Sequence, residues 1–421
     1  MKIADAVQTL TVDAPPIRFE AYDGSAFGDA GAPFSLRLVS ERGLSYLATA
    51  PGDLGLARAY VAGDLDLAGA HPGDPYEALK ALGTWRFRRP TPREVSVLVR
   101  EIGWRRLMPP TPPPQESLPR WRRNLEGLRH SRNRDAGAIG KHYDVSNRFY
   151  ELVLGPSMAY TCAVFRKPDA SLEEAQEEKF DLVARKLGLA PGMRLLDVGC
   201  GWGGMVRHAA KHYGVQALGV TLSAEQASWA RAAVERDGLT GQVEILHRDY
   251  RDSPGSNYDA VSSIGLLEHV GVKNYPSYFG YLAGKLRDGG RLLNHCITRP
   301  DNLARALPGQ FIDRYVFPDG ELTGSGRIIT EAQNAGLEVR HEENLREHYA
   351  LTLREWNANL VANWDACVAE VGEATARVWG LYMAGSRLGF ETNGVQLHQV
   401  LAVKVPESGD AGFPLRPDWQ S

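Results

Sequence analysis

From Ala136 onward, apolar positions follow two alternating rhythms. Short unbroken apolar runs give way to longer stretches in which apolar residues return every three to four positions. A run of four to eight fits a strand covered on both faces, and the longer spacing fits a helix that buries one side. The runs at 194–199, 215–222, 243–246, 260–264, 291–298 and 396–405 therefore predict strands. Residues 179–187, 224–237 and 274–286 predict helices among them. Strands alternating with helices predict an α/β, doubly wound domain with a largely parallel sheet, spanning 136–421. Residues 299–349 are too long for a plain connection, so they read as a lid or pocket insertion.

Upstream the pattern changes. Residues 1–85 mix short apolar alternations, such as 34–39, with glycine turns and one helical segment at 55–63, which predicts a smaller α+β accessory domain. Residues 86–135 read as a basic linker. Positions 86–134 hold thirteen Arg against four Glu, and 108–114 run Met-Pro-Pro-Thr-Pro-Pro-Pro. Proline fixes φ and removes a donor, which suits a semi-rigid spacer. There are no internal repeats.

Composition narrows the class. At 421 residues, 43% hydrophobic and 24% charged with net charge −3, the chain is that of a globular protein with no global attraction to nucleic acid. Cys162, Cys200, Cys296 and Cys367 form no CxxC pair, which argues against a disulfide framework or zinc ribbon and fits a reducing cytoplasm. Asp5 interrupts the first ten residues, so no signal peptide is expected, and no apolar run reaches a membrane span. The linker arginines have two readings. They form a solvated face, or, with Trp85, Trp104 and Trp121 among them, a patch that rests on anionic lipid head groups.

The sequence Asp197-Val-Gly-Cys-Gly-Trp-Gly203 is the strongest local signal. A strand runs into Gly199, Cys200, Gly201, Trp202 and Gly203, where small residues let a ligand approach the backbone, and a helix follows. A dinucleotide site would place an acid about 20 residues later, at the tip of the second strand. That strand ends in Thr221, Leu222 and Ser223, and the acid stands instead before the first glycine, at Asp197. This combination points to S-adenosylmethionine over a nicotinamide or flavin. Gln226, Asp249 and Tyr250 stand at later strand ends, where an aromatic beside an acid suits an adenine, although Tyr250 as a cover for the core is the simpler alternative.

These residues, with His142-Tyr-Asp-Val-Ser-Asn147, Tyr160-Thr-Cys-Ala163, Ser263-Ile-Gly-Leu-Leu-Glu-His-Val-Gly271 and Leu292-Leu-Asn-His295, resemble the cyclopropane fatty acid synthase family, which includes the mycolic acid methyltransferases. The resemblance covers about residues 136–405. It implies a Rossmann-like S-adenosylmethionine-dependent methyltransferase domain, with Tyr160 and Thr161 joining the cofactor residues. It also implies a bicarbonate ion held by the Glu268 carboxylate, the His295 ring, the Tyr349 hydroxyl and amides near Cys162 and Ile264. Arg58-Ala-Tyr-Val-Ala-Gly-Asp64 is similar to the extra domain of the longer synthases, so the implied substrate is an unsaturated phospholipid met at the inner face of the membrane.

An alkene is a weak nucleophile, so such a site must align it, exclude water and stabilise a carbocation with aromatic faces. Tyr160, Phe165, Tyr315 and Phe317 are candidates. Each implied ligand has a plainer reading. Glu268 could cap a helix, His295 could be a satisfied core histidine, and Cys162 could be a thiol in the pocket wall. His208 and His212 stand at helical spacing without a third ligand and read as surface histidines, so no metal is expected. Arg148, Cys296 and the segment 317–326 depart from the family pattern. These departures look like the branch that makes a 10-methylene acyl chain, which a separate flavin- or nicotinamide-dependent reductase converts to a methyl branch. Cyclopropane synthesis, small-amine methylation and non-enzymatic lipid carriage are the alternatives, and a homodimer is left open.

Overall fold

The computed structural model describes residues 2–103, 108–117, 146–303, 309–318 and 320–419. It forms two compact units. The first comprises Met1–Pro119, Gly309–Pro318 and Trp356–Leu388. Its sheet runs β2-β1-β3-β4, from β1 (Arg18–Ala21), β2 (Ala26–Phe27), β3 (Ser35–Leu38) and β4 (Leu65–Ala68). Ile17, Phe19, Leu36, Leu38, Tyr46, Tyr60 and Leu65 fill its core.

This division differs from a domain ending at residue 85 followed by a spacer. Thr91 and Glu94 form a capping box, Glu94 N–H to Thr91 Oγ1 at 3.3 Å and Thr91 N–H to Glu94 Oε2 at 2.8 Å, and a helix follows over Pro92–Ile102. The arginine count hides that start signal. Beyond the prolines, the Glu116 side chain is fully covered and accepts from Arg58 Nε at 2.6 Å, Arg58 Nη2 at 2.7 Å, Arg314 Nη2 and the Tyr315 hydroxyl at 3.3 Å. The end of the proline stretch is thus part of a packed unit. Residues 118–135, including Trp121 and Arg120, Arg122 and Arg123, lie outside the described residues, as does Trp104.

The second unit comprises Arg120–Pro308, Asp319–Glu355 and Gly389–Ser421. Its seven strands are β5 (Arg194–Val198), β6 (Gln216–Thr221), β7 (Val243–His247), β8 (Tyr258–Ile264), β9 (Leu286–Thr298), β10 (Leu337–Asn344) and β11 (Gln396–Lys404). They lie in the order β10-β11-β9-β8-β5-β6-β7. Strands β5 to β9 are mutually parallel, and β11 is antiparallel to both its neighbours. Central strands such as β6 are buried along nearly their whole length, as their unbroken apolar runs require. Chain order reverses between β5 and β8, which opens a crevice beyond their carboxyl ends.

The stretch 299–349 is only partly an insertion. It contains the helix Ser325–Asn334 and strand β10, whose burial alternates because it lies on the sheet edge. A strand wetted on one face spells Leu-Glu-Val-Arg-His-Glu-Glu-Asn, which carries no apolar run to read. The helices Arg346–Ala362, Trp364–Val371 and Glu373–Glu391 complete the C-terminal part. Among the described residues, no helix is long and apolar enough to cross a membrane.

Candidate active site

The turn after β5 is held by its own backbone. The amides of Gly199 and Cys200 both donate to the Val220 carbonyl at 2.9 Å, which ties the loop to β6. Gly199 and Gly201 have φ of +78° and +52°, a region that costs side-chain-bearing residues strain. A Cβ on Gly201 would meet nothing within 4 Å, because it would project into open space. That space is a cleft lined by Tyr160, Thr161, Asp197, Gly199, Cys200, Gly201, Trp202, Thr221, Leu222, Gln226, Tyr250 and Ile264, all singled out from the sequence. Asp197 is buried and accepts from Ser262 Oγ at 2.7 Å; burial lifts its pKa to about 6, with Ser262 and Lys179 opposing the rise. Thr221 Oγ1 donates to Gln226 Oε1 at 2.8 Å, which presents the Gln226 amide at the cleft wall. Trp202 donates from Nε1 to Asn147 Oδ1 at 2.9 Å and packs on Tyr150 at 4.8 Å. Residues 142–145 of that motif lie outside the described residues.

Two cofactor candidates sit elsewhere. Asp249 caps the turn Tyr250–Asp252, accepting from Arg251 N–H at 2.9 Å and Nε at 2.8 Å, and it is not part of the cleft lining. Its carboxylate serves the loop that positions Tyr250, whose ring meets Tyr278 and Tyr281 edge-on. Gly203 also lies off the lining: a Cβ there would reach Ala230 Cβ at 3.2 Å, so the residue permits helix packing.

The second group of candidates is carried by several elements. Strand register pairs Ile264 with His295 and, on the other side, His295 with Gln399. The helix Leu267–Val270 places Glu268 so that Oε1 accepts from the Ile297 amide at 2.7 Å. Oε2 of Glu268 and Nε2 of His295 are both buried, with no hydrogen-bond partner among the described residues. Burial raises the Glu268 pKa from 4.5 to about 7 and holds His295 far below its ordinary value, so that ring is neutral. Cys162 is fully buried, its Sγ 3.8 Å from the Leu345 carbonyl, and burial pushes the thiol up, which disfavours a thiolate. The adjacent Ala163 amide donates to Thr352 Oγ1 at 3.0 Å, docking this loop on the helix that carries Tyr349. Tyr349 stacks on Phe390 at 4.5 Å.

Tyr315 and Phe317 belong to the first unit, where Tyr315 packs on Phe311 and Phe317 on Tyr382. One expectation is corrected. His208 is not a surface residue: its ring lies 5.8 Å from Phe180 and 4.6 Å from His212, and burial lowers its pKa to about 4. No cluster of three metal-ligating side chains occurs among the described residues.

Lys179 was missed. It lines the cleft, 1% exposed, and donates to Thr161 Oγ1 at 3.0 Å. Desolvation lowers its pKa to about 7. The signal was present: a capping box, Ser171 with Glu174, starts the helix Leu172–Leu187, and its buried stripe of Leu172, Ala175, Gln176, Lys179, Val183, Lys186 and Leu187 includes two lysines. A lysine on an apolar stripe marks a buried charge.

Open strand ends, a glycine turn with room beyond it and a wall of Asp197, Gln226, Trp202 and Tyr250 fit an adenosyl nucleoside with a charged amino-acid tail. The fold and cleft are those of an S-adenosylmethionine-dependent methyltransferase. The sequence pattern described as mycolic acid cyclopropane synthetase matches residues 130–400. A probable fatty acid methyltransferase of Mycobacterium tuberculosis, Rv3720, is 61% identical over 423 residues, covering 100% of this chain and 99% of its own. A probable fatty acid methyltransferase of Pseudomonas putida is 40% identical over 417 residues, covering 98% and 97%. The solved mycolic acid cyclopropane synthase CmaA1, complexed with S-adenosylhomocysteine and CTAB, matches with a TM-score of 0.60 at 33% identity, over 64% of this chain and 98% of that one. The chain belongs to the mycolic acid cyclopropane synthetase family, whose members use S-adenosylmethionine to methylate or cyclopropanate unsaturated lipid acyl chains.

Proposed function

We propose that the enzyme methylates the double bond of an oleoyl phospholipid chain at the membrane surface and releases a 10-methylene acyl chain, with bicarbonate as the base. The observation that carries this reading is the pair of buried atoms, Glu268 Oε2 and His295 Nε2, that have no hydrogen-bond partner among the described residues. Native proteins rarely leave such groups unsatisfied, and a small oxyanion that accepts from a ring N–H and shares a proton with a carboxyl group would satisfy both. Bound S-adenosylmethionine supplies the electrophilic methyl group. The chain's residues align the alkene, keep water out and hold the group that takes the proton.

Methyl addition to one alkene carbon leaves a cation on its neighbour. Loss of a proton from the new methyl with ring closure gives a cyclopropane. A hydride shift onto the neighbour, followed by the same proton loss, gives an exocyclic methylene. A difference of about 1.4 kcal/mol between these exits makes a tenfold product ratio. In the segment that departs from the family pattern, Glu321 Oε2 accepts from the Val272 amide at 2.9 Å, and the Glu321 amide donates to the Glu268 carbonyl at 3.3 Å. The altered segment thus braces the turn that carries the acid. The methylene product is then the substrate of a flavin- or nicotinamide-dependent reductase.

The test is expression in a host rich in oleate, followed by proton NMR of the extracted lipid. Vinylidene signals are expected, and cyclopropane signals alone would replace this reading with a cyclopropane synthase. The basic region supplies the surface contact in this proposal. Binding to anionic vesicles should weaken steeply between 0.1 and 1 M salt, as the Debye length falls from about 10 Å to 3 Å. Indifference to salt removes the membrane reading.

A further inference from the structure

A chain of buried polar groups runs from the sheet edge to His295. Lys186 is 1% exposed, on the same helix face as Lys179, and pairs with Glu343 on β10. Its Nζ donates to Gln399 Oε1 at 2.6 Å. Gln399 stands opposite His295 in the β9–β11 register, and its Nε2 lies 3.2 Å from His295 Nδ1.

An ammonium group has donors and no acceptor, so it takes only the oxygen of the Gln399 amide. That leaves the amide NH2 facing His295, where it can only donate. The ring atom that receives it, Nδ1, must then carry no proton. A buried neutral imidazole holds one proton, so the proton sits on Nε2, the atom that is buried with no partner among the described residues.

We propose that Lys186 and Gln399 are positioning residues that lock His295 in the Nε2–H tautomer, so that it presents a fixed hydrogen-bond donor to an oxyanion in the site. Without the lysine, the amide could rotate by half a turn, offer its oxygen to the ring and draw the proton to Nδ1. Nε2 would then become an acceptor and repel the anion it now binds. The burial of Lys186 has the same explanation: its charge sets the direction of a hydrogen-bond chain whose far end points into the active site. The inference rests on the caged-oxyanion reading for its chemical consequence, and on the hydrogen-bond geometry alone for the tautomer.

The test uses the full chain with 15N-labelled histidine, the His295 signal being assigned by its loss in His295→Gln. In the parent, that signal should show a protonated Nε2 and a bare Nδ1. Gln399→Glu keeps the shape and the partner for Lys186 but places an acceptor against Nδ1. Its His295 signal should move to protonated Nδ1, and methyl transfer should fall at least tenfold while affinity for S-adenosylhomocysteine stays within twofold. Lys186→Met should give a mixture of tautomers and an intermediate rate. A parent ring protonated at Nδ1, a Gln399→Glu ring unchanged from the parent, or a Gln399→Glu rate equal to the parent's each overturns the proposal. If the tautomers behave as stated but the rate ignores added bicarbonate, the positioning role stands and the bicarbonate reading falls.

Discussion

Burying the Glu268 carboxyl raises its pKa from 4.5 to about 7, so between those values the folded chain keeps a proton that the unfolded chain releases. Stability therefore falls as pH rises through that window and stays lowered above it. Glu268→Gln removes the titration. It should melt like the parent near pH 4, and at pH 8 it should be more stable by up to about 3 kcal/mol, from about 1.4 kcal/mol per pKa unit. The same substitution should lower turnover at least tenfold, because the glutamine cannot share a proton with the bound anion. Thermal melts at both pH values, beside a methyl-transfer assay, check the two halves. A variant that is both fully active and no more stable at pH 8 contradicts the buried acid's role. At this scale the sequence was legible where a motif concentrates chemistry, as from Asp197 to Trp202. It was opaque where a side chain's partner is distant in sequence, as for Lys186 and Gln399, 213 positions apart. Asp249 shows why such positions are hard to read: a local cap and a ligand contact use the same residue type.

Among the elements, the central strands were readable because each is buried on both faces and therefore apolar throughout. Strand β10 and the helix Pro92–Ile102 were not. One is wetted on alternate residues, and the other hides its capping box among arginines. Glu116 shows what pattern reading cannot reach. Its burial depends on Arg58 and Arg314, 58 and 198 positions away, and both are almost covered, with 12% and 13% of their side chains exposed. Removing one member of such a cluster leaves buried charge uncompensated, which costs about 3–5 kcal/mol. Glu116→Ala should lower the stability of the first unit by that amount in urea unfolding. A midpoint indistinguishable from the parent's would mean that the cluster is neutral.

For the molecule as a whole, the first unit is built from three separate lengths of chain. The Asn357 side chain donates to the Gly73 carbonyl at 2.6 Å, His71 meets Trp364 edge-on at 5.3 Å, and Arg377 lies over the Tyr60 ring at 5.2 Å. The sequence suggested beads on a string, because an arginine- and proline-rich stretch looks like a place to cut. The fold is closer to a lock whose key is on the other fragment. Residues 1–119 and 120–421, produced as two separate polypeptides, should therefore find each other: the longer piece carries 309–318 and 356–388, the surfaces that complete the shorter one's core. Co-expressed with a tag on one piece only, the two should co-purify in equal amounts and recover methyl transfer, while the longer piece alone should be aggregation-prone. Separation of the halves on the column would show that the junction does more than connect. If they do complement, the protein is already a split enzyme, and a pair of fusion partners could be used to switch lipid methylation on by bringing its halves together.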